Sequence, residues 1–192
     1  MAQLKIHTWP DDVLSQKAKP VERVTPELAQ LASNMLETMY AAPGIGLAAP
    51  QVGQSVRLVV IDSRLRDDDG QVILDNMTDL EKQVKFPLRL FNPEIHMREG
   101  KTTFEEGCLS VPGFVEDVER AKYIEMTAMD VDGKKIEIKT DGLLAICIQH
   151  ELDHLDGKLF IDRISTVKRT LIKNKIKKNG YPGSETYKQH IL

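Results

Sequence analysis

Residues 149–157, QHELDHLDG, constrain this chain more than any other stretch, because they contain a His-Glu-x-x-His pattern. In an α-helix, with 3.6 residues per turn, His150 and His154 lie on the same face. Two imidazoles placed in this way can bind one metal ion, and Glu151 beside them can act as a general base. The alternative is an exposed helix with ordinary polar neighbours four residues apart.

The residues around this pattern favour a buried helix. Thr140 or Asp141 can cap its start, and Gly157 is placed to end it. One face combines both histidines with Leu143, Ile146 and Cys147. A neighbouring apolar stripe consists of Leu144, Ile148, Leu152 and Leu155. The residues expected to point away are Gln149, Asp153 and Asp156. A helix that is apolar on two sides is a central one, so the histidines are predicted to face inward.

A catalytic site of this kind needs a third protein ligand. The extended pattern H-E-x-x-H-x-x-G-x-x-H is excluded, because Phe160 stands where its last histidine would be. His7 and His96 have no local metal-binding pattern, and His190 falls in the predicted C-terminal tail. Cys108, in the segment Glu-Gly-Cys-Leu-Ser, is therefore the strongest candidate, and Asp162 is a weaker one. One cysteine with two histidines suits Zn²⁺ or Fe²⁺.

Length and composition fit one globular domain over residues 1–192, with 41% hydrophobic residues. No apolar run approaches the roughly 20 residues of a membrane helix. The first residues resemble neither a signal peptide nor a transit peptide. Two cysteines are too few for a disulfide framework, with a single bridge between them as the alternative. We therefore expect a reducing, cytoplasmic location and no membrane partner.

The charge of the chain is unevenly distributed. Residues 163–178 carry seven basic and no acidic side chains, so the net charge of −3 becomes −10 for the remainder. The pattern predicts a basic C-terminal helix over residues 168–178, followed by a tail over residues 179–192. Such an imbalance indicates a polyanionic partner. The alternative is a solvated terminal helix.

Earlier parts of the chain supply further elements. Thr25 and Pro26 open a predicted helix that ends at Pro43 and Gly44. Residues 44–51, GIGLAAPQ, form a small-residue loop with one long polar side chain, Gln51, and without the pattern of a phosphate loop. Residues 123–130 and 135–139 alternate like strands and predict a hairpin with a two-residue turn at Asp132-Gly133.

Residues 63–89 are polar and contain the run Asp67-Asp68-Asp69-Gly70. The spacing and the terminal glutamate of a calcium-binding EF-hand are missing. A solvated loop or insertion is therefore the favoured interpretation of this segment.

Three segments, GIGLAAPQ at 44–51, EGCLS at 106–110 and QHELDH at 149–154, resemble the three signature motifs of the peptide deformylase family. They occur in the family's order and at comparable spacing, apart from the polar insertion after Asp62. The resemblance runs from the N-terminal region to about Ile164. It implies an α+β fold in which antiparallel β-sheet segments surround a central metal-binding α-helix.

The resemblance also implies a reaction, the hydrolysis of the N-formyl group from the formylmethionine of newly synthesised polypeptides. The ligand set that it implies is Cys108, His150 and His154, with water in the fourth position. Fe²⁺ is the usual physiological ion of the family, and Zn²⁺ or Ni²⁺ can replace it. Glu151 would accept and return a proton, while the Gln51 amide and the Leu109 backbone N–H would stabilise the oxyanion.

For the methionine side chain we expect an apolar slot lined by Ile45, Leu143, Ile146 and Cys147. Gly46 is expected to offer backbone hydrogen bonds to the peptide. Glu106 is expected to pair with Arg120 and support the site. Some family members carry an arginine shortly after the cysteine motif, but here no basic residue lies between Cys108 and Arg120. Contacts with the peptide beyond methionine are therefore expected to differ.

In bacterial relatives a basic C-terminal helix docks on the ribosome, which gives residues 168–178 a candidate partner. No sequence-specific binding of nucleic acid is expected. Three alternatives remain at this stage: a general metallopeptidase, a thiol hydrolase with Cys108 as its nucleophile, and a catalytically silent relative that binds nascent chains or ribosomes.

Overall fold

The structure is a computed structural model that describes residues 3–67 and 70–182. This part of the chain contains three α-helices, namely α1 (Pro26–Ala41), α2 (Gly142–Leu155) and α3 (Thr166–Asn179). Its seven strands are β1 (Gly46–Ala48), β2 (Leu58–Ile61), β3 (Leu88–Glu99), β4 (Thr102–Gly107), β5 (Val115–Arg120), β6 (Tyr123–Met129) and β7 (Lys135–Thr140). None of the helices described is long and apolar enough to cross a membrane.

The strands form two antiparallel sheets. One has the order β1-β2-β3-β6-β7, and the other pairs β4 with β5. Strand β2 is buried on both faces: Val59 and Ile61 belong to a core cluster with α2, whereas Leu58 and Val60 belong to a second cluster with α1. The mixed helix and antiparallel-sheet architecture is the one expected from the sequence.

Helix α2 packs on the large sheet and forms side-chain hydrogen bonds with residues of the small sheet. Every residue from Leu144 to Leu155 is buried, with apolar side chains packed on the large sheet. A third cluster joins the small sheet, α3 and the segment after β4; it includes Cys108, Val111, Phe160, Ile172 and Ile176. Helix α3 is thus a packed element whose inner side covers the Cys108 segment.

Several local predictions are confirmed. The Thr25 side chain accepts a hydrogen bond from Leu28 N at the start of α1, and Pro26 is the first helical residue. Strands β6 and β7 pair as a hairpin. Its turn is longer than the two residues predicted, because Asp130 N donates to Lys134 O at 2.9 Å and Gly133 N donates to Asp130 O at 3.0 Å.

The prediction that Gln149 and Asp153 point away from the core is wrong, since they are only 8% and 5% exposed. The Gln149 amide accepts from Ala121 N at 3.0 Å and donates to Ala121 O at 2.9 Å. Asp153 is paired with two arginines. Both side chains are buried because distant strands and loops supply polar partners. Asp156 is exposed, as predicted.

The interpretation of residues 63–89 as a solvated loop is also incomplete. The segment contains two short 3-10 helices, Leu74–Asn76 and Glu81–Gln83, and its Glu81 is 2% exposed. The Glu81 carboxylate accepts from Leu144 N at 2.8 Å, whereas the Asp141 side chain makes no capping bond. The start of α2 is therefore capped from a distance, by neither Thr140 nor Asp141. Its end follows the prediction, with Gly157 at a φ of +71°.

The basic helix is slightly longer than the predicted residues 168–178. Of the predicted tail, residues 183–192 lie outside the described residues.

Candidate active site

Three potential ligand atoms converge beside the C-terminal half of α2. Cys108 Sγ lies 3.2 Å from His154 Nε2, which lies 3.2 Å from His150 Nε2. All three residues are buried, and one ligand atom from each falls within 4.8 Å of the others. Helix α2 supplies both imidazoles, and the segment after β4 supplies the thiol. Two nitrogens at this separation can both lie about 2.0–2.1 Å from one ion.

The His150 ring is oriented by Glu106 of β4. His150 Nδ1 lies 2.9 Å from Glu106 Oε2, so Nδ1 carries the proton and Nε2 faces the cluster as an acceptor. Arg120 of β5 donates to the same carboxylate from Nε at 2.7 Å and from Nη2 at 2.8 Å. The predicted pair of Glu106 and Arg120 is thus present, and its arginine is 5% exposed.

The charged network continues on the far side of Arg120. Its Nη1 donates to Asp153 Oδ2 at 2.6 Å, and Asp153 also accepts two hydrogen bonds from Arg163. Burial alone would raise the pKa values of Glu106 and Asp153, but the arginine hydrogen bonds hold both below their ordinary values. Four side chains of alternating charge therefore lead from His150 to the surface beside α3.

Glu151 is fully buried, and neither carboxylate oxygen has a hydrogen-bond partner among the described residues. Burial, and then the charge of Glu106, raises the pKa of its carboxyl well above the ordinary value. A β-carbon added to Gly46 would lie 2.4 Å from Glu151 Oε1. A side chain at position 46 would therefore displace the Glu151 carboxylate or the Cys147 sulfur.

The Gln51 amide has a defined orientation. Its Oε1 accepts from Ala48 N at 2.8 Å, which turns Nε2 toward Ser110 Oγ at 3.2 Å and Cys108 Sγ at 3.7 Å. The side chain is 1% exposed. Leu109, the next expected donor, directly follows Cys108 and is buried.

Of the expected slot residues, Ile45 lies directly before β1, and the other three lie on α2. Ile146 and Cys147 are buried, and Cys147 Sγ lies 3.8 Å from Ile45 O. Ile45 and Leu143 are half-buried and pack against the same core cluster. The two half-buried residues are thus the ones that a ligand could reach.

The weaker ligand candidates do not join the cluster. Asp162 accepts from Leu159 N at 3.1 Å and faces Arg169 and Lys173. His7 pairs with Asp11, and His96 lies 3.8 Å from Glu125. Phe160 stacks on His150 with ring centroids 6.5 Å apart, so it contributes packing at the position where the extended pattern has a ligand.

The thiol of Cys108 lacks the surroundings of a nucleophilic cysteine. Burial raises its pKa, which the Ser110 N–H partly opposes and the Glu151 carboxylate reinforces. Reactive cysteines have a lowered pKa and partial exposure. The environment therefore disfavours a thiol hydrolase. Sulfur and imidazole donors that converge next to a buried carboxylate without hydrogen bonds fit a divalent cation instead.

The sequence model described as polypeptide deformylase matches residues 3–170. The chain belongs to the peptide deformylase family. Peptide deformylases are metallohydrolases that remove the formyl group from the N-terminal methionine of nascent peptides, and this chain is such an enzyme. A general metallopeptidase and a silent relative are thereby excluded.

Individual relatives agree over nearly the whole chain. It is 48% identical to a peptide deformylase of Alkalilimnicola ehrlichii over 178 residues, which are 93% of this chain and 91% of that one. A solved peptide deformylase from Legionella pneumophila matches with a TM-score of 0.77 and 44% identity over 92% of this chain and 95% of that chain. The Ehrlichia chaffeensis enzyme in complex with actinonin matches with a TM-score of 0.79 and 36% identity, over 93% and 98% of the two chains.

Three residues of the site region were missed at the sequence level. Asp153 and Arg163 extend the network behind His150, and Glu81 caps the helix that carries the histidines. No pattern within the sequence connects Glu81 to Leu144, because 63 residues separate them. Asp153 stands next to His154, but nothing local distinguishes a buried aspartate from a solvated one at that position.

Proposed function

We propose that Cys108, His150 and His154 bind the single metal ion on which this deformylase depends. The observation that carries the proposal is the convergence of one sulfur and two nitrogens beside the buried Glu151. We propose Fe²⁺ as the physiological ion, with Zn²⁺ and Ni²⁺ as replacements, because a mixed sulfur and imidazole set accepts all three. When bound, the ion would polarise the formyl carbonyl and lower the pKa of water.

In this proposal Glu151 carries the proton during the reaction. Its raised pKa suits a group that takes a proton from the attacking water and later returns it to the departing amine. The absence of a hydrogen-bond partner among the described residues leaves both oxygens available for these transfers. Glu106 and Arg120 would act indirectly, by keeping the His150 ring in its orientation.

Gln51 and Leu109 are proposed to donate hydrogen bonds to the developing oxyanion. The bond from Ala48 N to Gln51 Oε1 supports this role, since it directs the amide nitrogen toward Cys108. Donors that are already oriented lose no free energy to reorganisation as charge develops on the carbonyl oxygen. The methionine side chain would then enter the apolar slot formed by Ile45, Leu143, Ile146 and Cys147, and Gly46 of β1 would bond to the peptide backbone.

An anaerobic assay of formate release from a formyl-Met peptide, combined with metal analysis, tests these roles. Glu151→Ala should abolish formate release while one ion per chain is retained, whereas Cys108→Ala should lose both. Glu105→Ala, which alters an exposed glutamate of β4, is the matched control and should leave both unchanged. Full activity of Glu151→Ala, or of enzyme treated with a chelator, would contradict the proposal.

We further propose that α3 docks on the ribosome, so that the enzyme meets nascent peptides. Ile172 and Ile176 face the protein, whereas Val167 and Leu171 are 70% and 64% exposed on the outer side. Exposed lysines flank this outer side, Lys178 among them. A cationic surface with an apolar centre suits a partner that presents both phosphate groups and protein.

Surface substitutions test docking better than truncation does, because removal of α3 would uncover the cluster that contains Cys108. Lys175→Glu/Lys178→Glu should reduce co-sedimentation with ribosomes and weaken its dependence on salt. Lys122→Glu/Lys135→Glu changes the same charge elsewhere on the exposed surface and should bind normally. Equal binding by both variants at physiological salt would refute the docking role.

A further inference from the structure

The first turn of α2 is held by the segment that precedes β3. A helix begins with backbone N–H groups that have no partner within the helix. Glu81 supplies the acceptor here: one carboxylate oxygen accepts from Leu144 N and the other from Thr78 N, both at 2.8 Å. The Thr78 hydroxyl in turn donates to Asp141 Oδ1 at 2.5 Å. The carboxylate also carries the charge that the positive end of the helix dipole favours.

The packing around this carboxylate is close. A β-carbon added to Gly142 would lie 2.8 Å from Glu81 Cδ, and Gly142 adopts a φ of +62°, where side chains are strained. The segment that contains Thr78 and Glu81 therefore contacts three residues of the helix start, Asp141, Gly142 and Leu144. Leu143 stands between Gly142 and Leu144 in the chain, so its backbone is joined on both sides to residues that this segment contacts.

We infer that Glu81 is a positioning residue for the methionine slot and sets the enzyme's preference for the first side chain of the peptide. The inference rests on the proposed slot, in which Leu143, like Ile45, is a half-buried wall packed against the core cluster of α2. Glu81 touches no reacting group. It acts through the backbone of the first turn of α2, and so through the position of Leu143.

The later turns of α2 have separate supports. Glu106 bonds to His150, and Arg120 and Arg163 bond to Asp153, so the ligand cluster does not depend on the first turn. Loss of Glu81 should therefore loosen the slot more than the metal centre. The expected signature is a higher KM and a weaker side-chain preference, with kcat and metal content little changed.

The experiment compares Glu81→Ala and Glu81→Gln on formyl-Met and formyl-Ala peptides of otherwise identical sequence. The free energy lost with a helix cap corresponds to roughly a three- to tenfold change in an equilibrium constant. In Glu81→Ala, the ratio of kcat/KM for formyl-Met to kcat/KM for formyl-Ala should therefore fall by about that factor. Glu81→Gln keeps one acceptor oxygen and should fall less, and it serves if Glu81→Ala does not fold. Asp75→Asn, an exposed acid of the same segment, should keep the wild-type preference.

Leu143→Ala, alone and with Glu81→Ala, separates the inference from the proposal beneath it. If Glu81 acts through Leu143, its effect on the preference should largely vanish in the Leu143→Ala background. If Leu143→Ala leaves the preference intact, the proposed slot is wrong and the inference falls with it. If Leu143→Ala reduces the preference but Glu81→Ala and Glu81→Gln only lower thermal stability, the slot stands and the inference is overturned, because Glu81 is then only a helix cap.

Discussion

At the scale of single residues, the direction of the Gln51 amide decides what that side chain can do. Because Ala48 N can bond only to an oxygen, the nitrogen of the amide must face Cys108. Ser110 Oγ, at 3.2 Å from Gln51 Nε2, can take that donor until a substrate oxygen replaces it. The side chain is thus oriented for donation before any peptide arrives.

Gln51→Ala should therefore lower kcat by about 10²–10³-fold, the usual cost of losing one oxyanion donor. Metal content should stay at the wild-type value, since Gln51 is not among the proposed ligands. Steady-state kinetics with a formyl-Met peptide and metal analysis provide the measurement. Gln54→Ala, at an exposed position nearby, should have wild-type kinetics. A higher KM with an unchanged kcat would show that Gln51 binds substrate without stabilising the oxyanion.

At the scale of elements, α2 shows what its own sequence could and could not predict. The spacing of His150 and His154 and the apolar stripes were sufficient to predict a buried helix with inward-facing histidines. The partners of Gln149 and Asp153 could not be predicted, because Ala121 lies on another part of the chain and Arg163 follows the helix. The spacing of apolar residues predicts which of them are buried, but it does not predict ion pairs between residues that only folding brings together.

Asp153→Asn should lower the free energy of unfolding by about 1.5–3 kcal/mol, because Arg120 loses one of its two carboxylates but keeps its pair with Glu106. In the Asp153→Asn background, Arg163→Met should lower the free energy of unfolding much less than it does in the wild type, since the two residues share one interaction. Chemical denaturation of the four proteins gives the coupling energy. Strict additivity would mean that Asp153 and Arg163 do not stabilise each other.

Asp62 joins α1 to the strand pair β1–β2. Its side chain accepts from Tyr40 Oη at 2.7 Å and from Arg64 Nε at 2.7 Å, and its backbone N donates to Ile45 O at 2.8 Å. Burial alone would raise the pKa of Asp62, but the hydrogen bonds from Arg64 and Tyr40 bring it below the ordinary value. The ionised form is therefore the one that stabilises the fold.

The lowered pKa of Asp62 in the folded protein predicts how the effect of Asp62→Asn on stability depends on pH. Since the folded pKa lies below the unfolded value of about 3.9, the stabilisation is fully present above that value and is lost as pH falls through the folded pKa. At neutral pH the free energy of unfolding of the wild type should exceed that of Asp62→Asn by about 1–3 kcal/mol. This difference should become smaller below about pH 4. Denaturation curves across this range provide the test, with Asp75→Asn as the control. A gap that widens on acidification would reverse the assigned pKa shift.

At the scale of the whole molecule, the candidate metal centre lies where separately packed parts meet. Both histidines belong to α2, which packs on the large sheet, whereas Cys108 belongs to the cluster of the small sheet and α3. The chemistry of the three motifs could be predicted from the sequence, because each motif is a short continuous segment. The contacts of Glu81 with the start of α2 and of Arg163 with Asp153 could not be predicted, since they form only when the sheets and helices assemble.

A metal held between these parts should stabilise the entire fold. Because binding favours the folded state, metal at about 100 times its Kd adds about 2.7 kcal/mol, which corresponds to a rise in Tm of about 5–10 °C for a chain of this size. Thermal unfolding of the metal-free protein with and without added Zn²⁺ or Ni²⁺ measures the shift. The two cysteines, both buried and free, form a matched pair for this test. Cys108→Ala should lose the rise, whereas Cys147→Ala should keep it, because only Cys108 has its sulfur among the convergent atoms. An equal rise in both variants would exclude Cys108 as the ligand that joins the small sheet to α2.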